Sequence, residues 1–422
     1  MCTYAEGKQA LRPKPTKILS KTNLFWAWQY SRDSTKNPGA RGIDGVSARA
    51  FAAKLDHNLQ VLAQKIAKGE FGFSKLRPFP IPKEGTAKER LICIPIVQDR
   101  VFQRCIAQYI ERRRLFPVIN SSSFGFVPEK GLRKAIRRTV DLRHRYQFVF
   151  KTDIVGFFDA IQREALIEKI EEVLKRHSLI PLLKSAICTE VKPDAICDIK
   201  KLSSLGIHNG RGIRQGMPLS PLLSNLALSD FDLAVESAGI PMVRYADDIV
   251  VFASTKKEAM ERGEFIAERL KVLGHSIPLL ENEGKTKIIS RKESLNFLGR
   301  EIFYSDKEDR YIQRVSDKKI NTILEKMEFL CDFDQMVRNG QSISDMSKII
   351  SQMIGSYIKC YDDAWNAKHV ENELRRKGKE ILRSAYSQIF GAENVASAAE
   401  RYGRFLGIDK LEAKFDELVD VY

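Results

Sequence analysis

An acid pair inside a run of β-forming residues is the feature that most constrains how this chain folds. Residues 244–252 read RYADDIVVF, so apolar strand-forming side chains flank Asp247 and Asp248. A strand interior disfavours two adjacent carboxylates, whereas tight turns accept Asp readily. The pattern therefore predicts a hairpin over residues 243–253 with both acids at its tip.

A third acid, Asp153, follows another strand-like run. Residues 148–153 read FVFKTD, and the apolar residues that follow make an unpaired charge costly. One interpretation is ordinary: a solvated Asp-Asp turn, with Asp153 as a helix cap or a solvated strand end. The other is that these acidic strand ends together hold two Mg²⁺ ions, because hard oxygen ligands suit Mg²⁺ and adjacent carboxylates repel without a cation.

The charge balance points to a polyanionic partner. Lys and Arg total 70 against 54 for Asp and Glu, which leaves a net charge of +16. A basic surface captures nucleic acid, although a well-solvated basic protein has the same composition. The N-terminus lacks a secretory apolar segment, and no apolar stretch is long enough to span a bilayer. Seven scattered cysteines indicate reduced thiols, so we predict a cytoplasmic protein with no membrane partner.

Apolar periodicity predicts a mixed body followed by a helical end. Strands are expected at 79–83, 90–95 and 148–153, and helices at 48–67, 97–115, 132–145, 163–176 and 256–273. A further helix is expected after Pro221, and almost everything beyond residue 316 is expected to be helical. The basic residues of the 132–145 helix, Arg133 and Arg137 among them, either track phosphates or are simply solvated.

Motifs along the chain resemble those of reverse transcriptases, in the same order. They are GIDGV at 42–46, residues 90–103, SFGFVP at 123–128, RQGMPLSPLLSN at 214–225, YADD at 245–248, GKTK at 284–287 and NFLG at 296–299. Val127 departs from the pattern, which has Arg there. The resemblance implies an α+β right-hand polymerase with an N-terminal extension (1–75), fingers and an antiparallel-sheet palm carrying the catalytic Asp residues (76–304), and a helical thumb with C-terminal helices (305–422).

The resemblance also implies roles for particular residues. Asp153, Asp247 and Asp248 are the expected catalytic and metal-binding acids, and the Ile154 carbonyl is an expected further ligand. The expected cofactor is a pair of Mg²⁺ ions, for which Mn²⁺ substitutes. The reaction is RNA-directed DNA synthesis from dNTPs, with cDNA as the product.

The remaining assignments concern the nucleotide and the nucleic acid. Lys83, Arg90 and Gln215 are expected nucleotide contacts, and Phe158 corresponds to the ring that blocks a ribose 2′-OH. Expected template or primer contacts are Gly216, Arg133 and Arg137. Without the motifs, the cations read as solvated charges, Phe158 as a core aromatic and Gly216 as part of a loop before a helix.

The subtype is predicted by elimination. No segment resembles an intron endonuclease, an integrase or an RNase H domain, and retron elements are absent. The chain is most similar to stand-alone bacterial enzymes related to group II intron reverse transcriptases, among them the "unknown group" that acts in phage defence. Such enzymes use a structured non-coding RNA as template. The alternative is a maturase that acts mainly by binding structured RNA, and Phe158 disfavours an RNA polymerase.

Overall fold

In the computed structural model the described residues are 17–34, 40–82, 89–281 and 284–395. The chain divides into two compact units. The first unit comprises Met1–Ala135 with Tyr146–Ile288, and the second comprises Ile136–Arg145 with Ile289–Tyr422. Each unit has its own cluster of buried apolar side chains, so each has its own hydrophobic core.

The described residues of the first unit form a series of helices. They are α1 (Lys21–Ser34), α2 (Ala48–Ala52), α3 (Leu55–Lys68), α4 (Val97–Arg113), α6 (Phe157–Ala160), α7 (Arg163–Leu174), α8 (Ile180–Ile187), α9 (Ile199–Ser204), α10 (Ser220–Ala227), α11 (Ser229–Ser237) and α12 (Lys256–Val272). Helix α5 (Leu132–Arg145) begins in the first unit and ends in the second.

Six strands form two sheets. Strands β1 (Arg77–Pro82) and β2 (Glu89–Ile94) pair as an antiparallel hairpin. The larger sheet contains β3 (Phe148–Asp153), β4 (Met242–Tyr245), β5 (Asp248–Ala253) and β6 (Lys287–Ile289) in the order β4-β5-β3-β6. Both β4 and β3 run antiparallel to β5. The apolar run of β5 is explained by its position between two strands, where every residue from Ile249 to Ala253 is buried.

Helix α12 covers part of this sheet at close range. A Cβ placed on Gly263 would lie 2.5 Å from the Phe150 ring of β3, which real Cβ atoms do not approach. Glycine at this position therefore lets the helix backbone lie directly against the strand that ends in Asp153. Thr255 begins the helix, because its side chain accepts a hydrogen bond from the backbone N–H of Glu258.

The second unit joins a small sheet to a helical bundle. Its strands are β7 (Leu295–Phe297), β8 (Arg300–Ser305) and β9 (Arg310–Arg314), paired in sequence order. Its helices are α13 (Asp317–Leu330), α14 (Phe333–Arg338), α15 (Ile343–Tyr361) and α16 (Ala367–Phe390). A capping box at Ser342 and Asp345 begins α15.

The predicted fold class is confirmed, with two differences in detail. The α+β combination of helices and antiparallel sheet is present, and the predicted helical region after residue 316 is confirmed for the described residues, up to residue 395. The expected single helix over 48–67 is wrong: it breaks at Ala53 and Lys54, where Lys54 leaves the helical region of φ and ψ. Strand β9 was not predicted, because its alternation is too short to separate from a loop. In the described residues no helix is long and apolar enough to cross a bilayer.

Candidate active site

The β4–β5 hairpin carries the adjacent acids at its turn, which confirms the predicted hairpin. Tyr245 pairs with Asp248, so Ala246 and Asp247 form a two-residue turn. Ala246 has a φ of 57°, in the left-handed region that a Cβ disfavours. The turn therefore holds a strained residue directly beside the acids.

Strand register places Asp153 and Asp248 side by side. Asp153 of β3 is the direct partner of Asp248 of β5, and the backbone N–H of Ile154 donates to the Asp247 carbonyl at 3.1 Å. Directly opposed residues project from the same face of an antiparallel sheet. Asp153, Tyr245 and Asp248 therefore share one face, which we call the carboxylate face. Arg244 and Ile249, one residue along, project from the opposite face.

The electrostatics of the carboxylate face show an excess of negative charge at its centre. Burial, together with repulsion from the carboxylates of Asp247 and Asp153, raises the pKa of Asp248 to about 6, although attraction to Lys151 and Lys285 partly opposes the rise. The Oδ1 atom of Asp153 is buried and has no hydrogen-bond partner, while its Oδ2 atom contacts the Lys285 ammonium group. An additional cation at this face would be stabilised by these groups.

The donor chemistry fits divalent cations with hard oxygen ligands. Three carboxylates converge from two strands and a turn, and one of their oxygens is orphaned. Within the described ranges, however, no three acidic, His or Cys side chains surround a single point closely enough to form a finished metal site. The side chains thus supply the right ligands, and they would have to rotate to enclose an ion.

Two lysines lie near these acids, and neither is among the predicted site residues. Lys151 lies two residues before Asp153 and so projects from the carboxylate face. Burial lowers the pKa of Lys151, and attraction to Asp248 partly opposes this effect. Lys285 of the GKTK segment reads from the sequence as a lysine near the pyrophosphate or as a surface lysine, and in the structure it pairs with Asp153. The period-two alternation of β3 is the signal that would have placed Lys151.

Phe158 and Gln215 line one cavity of about 450 Å³, together with Gly216 and Phe126. Phe158 is half-buried, whereas the neighbouring Phe157 is buried in the core, with the two ring centroids 5.2 Å apart. Phe126 is 47% exposed and has a φ of 58°, which is rare for an aromatic residue. The structure therefore brings three predicted site residues, Gln215, Gly216 and Phe158, together in one cavity. Phe126, which was not predicted, also lines it.

The backbone conformation and the packing at position 216 require glycine, apart from any contact with nucleic acid. Gly216 has a φ of 105°, and a Cβ there would lie 2.6 Å from the Cys93 carbonyl oxygen of β2. The Cys93 N–H also bonds to the Gln215 carbonyl at 2.6 Å. The β1–β2 hairpin is therefore attached to the Gln215 loop by backbone contacts that need glycine.

The other predicted contacts are distributed over separate elements. Arg90 is exposed on β2, paired with Ile81 of β1. Lys83 lies outside the described residues. Arg133 and Arg137 are both exposed on α5. The roles of these four residues remain predictions.

A sequence profile of the family described as reverse transcriptase, RNA-dependent DNA polymerase, matches residues 81–302. This span is more than half of the chain and includes β2, the Gln215 loop and all three acids. The chain therefore belongs to the reverse transcriptase family. The predicted enzyme class, an RNA-directed DNA polymerase, is confirmed, and divalent metals are the general cofactor of this family.

Two curated bacterial proteins are similar to the chain. Protein YkfC of Escherichia coli K12 is 27% identical over 347 residues, covering 71% of this chain and 85% of YkfC. The group II intron-encoded protein LtrA of Lactococcus lactis subsp. cremoris is 22% identical over 326 residues, covering 77% of this chain. The chain spans about half of LtrA, 49% of its length. The predicted relationship to group II intron proteins is thus confirmed at the level of homology.

Two solved structures that align with the chain are a partial Cas6-RT-Cas1–Cas2 complex and a telomerase. A partial Cas6-RT-Cas1–Cas2 complex aligns with a TM-score of 0.36 and 22% identity, covering 65% of this chain and 45% of that one. Telomerase from Candida albicans, in complex with a fragment of telomeric RNA, aligns with a TM-score of 0.42 and 14% identity, covering 87% and 69%.

Proposed function

We propose that this protein copies an RNA template into DNA at the carboxylate face, with Asp153, Asp247 and Asp248 as catalytic acids. The observation that carries the proposal is the register that sets Asp153 opposite Asp248, with Asp247 at the adjoining turn. The Ile154 carbonyl is the proposed further ligand. When bound, two Mg²⁺ ions, or Mn²⁺ in their place, would activate the primer 3′-hydroxyl and stabilise the leaving pyrophosphate.

The other side chains have positioning roles in this proposal. Lys83 and Arg90 bind the triphosphate of the incoming dNTP, and Gln215 and Phe158 line the cavity that receives its base and sugar. Gly216 lies beside the template. Phosphoryl transfer needs little beyond such positioning and charge stabilisation, so these groups account for the reaction.

Primer extension tests the activity directly. The purified protein should extend a DNA primer on an RNA template with dNTPs and Mg²⁺, should fail when EDTA is added, and should use rNTPs poorly. A template of the same sequence made of DNA serves as a comparison. Absence of extension with either metal, on any primed RNA, would refute the proposal.

A structured non-coding RNA is the proposed template, and cytoplasmic anti-phage defence is the proposed role. The net charge of +16 and the exposed basic face of α5 support an RNA partner. Sequencing the nucleic acid that co-purifies with the protein should recover one dominant RNA and cDNA complementary to it. A random sample of cellular RNA would count against a dedicated template.

Charge reversal on α5 examines the RNA contact. Arg133→Glu with Arg137→Glu should weaken RNA binding and reduce the slope of log K against log salt by about 2, since each phosphate contact contributes about 1. Lys256→Glu with Lys257→Glu, both exposed on α12, is the control with equal charge change. Equal losses in both variants would mean that α5 makes no specific contact.

The second candidate function is that of a maturase, which acts mainly by binding structured RNA. Similarity to LtrA, a group II intron-encoded protein, favours it. The two candidates separate in one experiment, because a maturase role would survive Asp247→Ala whereas cDNA synthesis would not.

A further inference from the structure

Arg244 is a buried cation whose hydrogen-bonding capacity is fully used. Its side chain is 0% exposed, although arginine is rarely buried without partners. A guanidinium group has five N–H donors. The Nε atom donates to Asp232 Oδ1 at 2.7 Å, and Nη2 donates to Asp232 Oδ2 and, at 2.8 Å, to the Ser123 hydroxyl. The Nη1 atom donates to the Asn225 side-chain oxygen at 3.2 Å and to the Ala246 carbonyl at 3.0 Å.

Besides Asp232 of α11, these acceptors belong to three separate segments that meet behind the acid turn. Ser123 belongs to the 123–128 segment, Asn225 ends the 214–225 segment, and Ala246 is in the turn itself. Asn225 also donates from Nδ2 to the Gly125 carbonyl at 2.8 Å. A Cβ on Gly125 would lie 2.6 Å from the Ala246 backbone nitrogen, so this segment packs directly against the turn.

The hydrogen bond from Arg244 to the Ala246 carbonyl is made at the residue of the turn that has an unfavourable backbone conformation. Ala246 adopts a left-handed φ of 57° that an alanine does not adopt without support. Asp247 follows immediately, so any relaxation of Ala246 would turn the Asp247 carboxylate and shift Asp248. The guanidinium group reaches this carbonyl from the sheet face opposite to the carboxylate face.

We infer that Arg244 is a positioning residue for catalysis: it holds the strained Ala246 turn so that Asp247 and Asp248 keep the orientation needed to bind metal. This inference rests on the proposed polymerase function and adds a residue to which that function assigns no role. The Arg244 guanidinium donates its five hydrogen bonds to Asp232, Ser123, Asn225 and Ala246 and not to the catalytic acids. Its effect passes through the backbone of the turn, helped by Asp232, Asn225 and Ser123 as fixed acceptors.

The test compares two buried arginines changed in the same way. Arg244→Lys keeps the charge beside Asp232 but removes the planar set of donors that serves three segments at once. Arg300→Lys is the matched control, because Arg300 is 1% exposed and its guanidinium bonds to Asp363 and to the Cys360 carbonyl, both in the second unit. Thermal stability, kcat, KM for dNTP and the Mg²⁺ concentration for half-maximal rate are measured, with rates normalised to folded protein.

Arg244→Lys should lower kcat at least about tenfold and raise the half-saturating Mg²⁺ concentration severalfold, with KM for dNTP within about twofold of the original. Arg300→Lys should lower the melting temperature without either change. If Arg244→Lys loses stability but keeps kcat and its Mg²⁺ response, Arg244 is a structural residue and the inference is wrong. If the unmodified protein extends no primer, the proposed function fails first, and this inference fails with it.

A second pair of variants keeps the test decisive if Arg244→Lys does not fold. Asn225→Ala removes one acceptor of Arg244 and the bond to Gly125, and should lower kcat about threefold or more with KM unchanged. Adding Ala246→Gly should restore part of this loss, because glycine adopts the left-handed conformation without support. An unchanged kcat in Asn225→Ala, or no recovery with Ala246→Gly, would contradict a positioning role.

Discussion

Aspartate residues lie at both faces of the β4–β5 hairpin, but the charges that surround them differ. On the carboxylate face, Asp153 and Asp248 lie side by side, and one oxygen of Asp153 has no hydrogen-bond partner. Burial, with repulsion from the neighbouring carboxylates, raises the pKa of Asp248. On the opposite face, Asp232 is 1% exposed and both of its oxygens accept from the Arg244 guanidinium.

This difference separates the acids that we propose to bind metal from an acid that stabilises the fold. Asp232 has an internal cation, so its charge is neutralised when the chain folds. Asp153 contacts the Lys285 ammonium group and keeps one buried oxygen without a hydrogen-bond partner, so this face retains capacity for a further cation. Removing an acid from one face should therefore affect catalysis, whereas removing one from the other should first affect stability.

The largest expected effect comes from Asp247→Ala. It should reduce DNA synthesis by about 10²-fold or more, because an electrostatic element of the active site is lost together with a metal ligand. Thermal unfolding should change little, since an acid in a hairpin turn contributes little packing. Primer extension and calorimetry measure the two quantities.

The control for this prediction is Asp232→Ala, the same substitution on the opposite face. It leaves Arg244 as an uncompensated buried charge and should lower the free energy of unfolding by about 3–5 kcal/mol. Near-normal extension by Asp247→Ala would overturn the assignment of the acids, and an unaltered stability in Asp232→Ala would remove the contrast between the faces.

An effect of intermediate size is expected at Phe158, and its neighbour Phe157 provides the comparison. Phe158→Ala should raise incorporation of rNTP relative to dNTP about ten- to a hundredfold, because the clash with a 2′-hydroxyl is worth about 1–3 kcal/mol. Phe157→Leu, in the core beside it, should lower stability by about 1 kcal/mol and leave the preference unchanged. The measurement is the ratio of kcat/KM for the two nucleotides on one RNA template. An unmoved ratio in Phe158→Ala would make Phe158 a packing residue.

The smallest effect concerns Asp99, a buried acid without a guanidinium partner. Burial raises its pKa to about 7, a backbone bond from Ser74 opposes the rise, and Asp44 adds to it. The folded state therefore binds a proton that the unfolded state releases near pH 4. Stability from this group is present below about pH 4 and declines as the pH rises to about 7, by at most about 1.4 kcal/mol per pH unit.

Asp99→Asn removes this dependence while keeping an acceptor for the Ser74 N–H. Urea unfolding is measured between pH 5 and pH 8. The free energy of unfolding of the variant should rise relative to that of the original protein up to about pH 7, and the difference between them should be constant above pH 7. A difference that does not vary with pH would mean that Asp99 is charged throughout this range.

The sequence by itself determined the local elements and the family. Strand periodicity and turn chemistry in residues 243–253 were sufficient to predict the acid hairpin, and the ordered motifs were sufficient to predict the polymerase class and its acids. Helix bounds followed from apolar spacing where the helix was long, as in α4 and α12. These features depend on residues that are close together along the chain, so they can be predicted from the sequence.

Only the tertiary structure decided which distant residues meet. The pairing of Asp153 with Asp248, the contact of Lys285 with Asp153 and the glycine at 216 all depend on the order and register of strands. Alternation along β4 shows that Arg244 and Tyr245 point to opposite faces, but it does not show what covers each face. The partners of Arg244 come from three other segments, and their convergence is a property of the packed core.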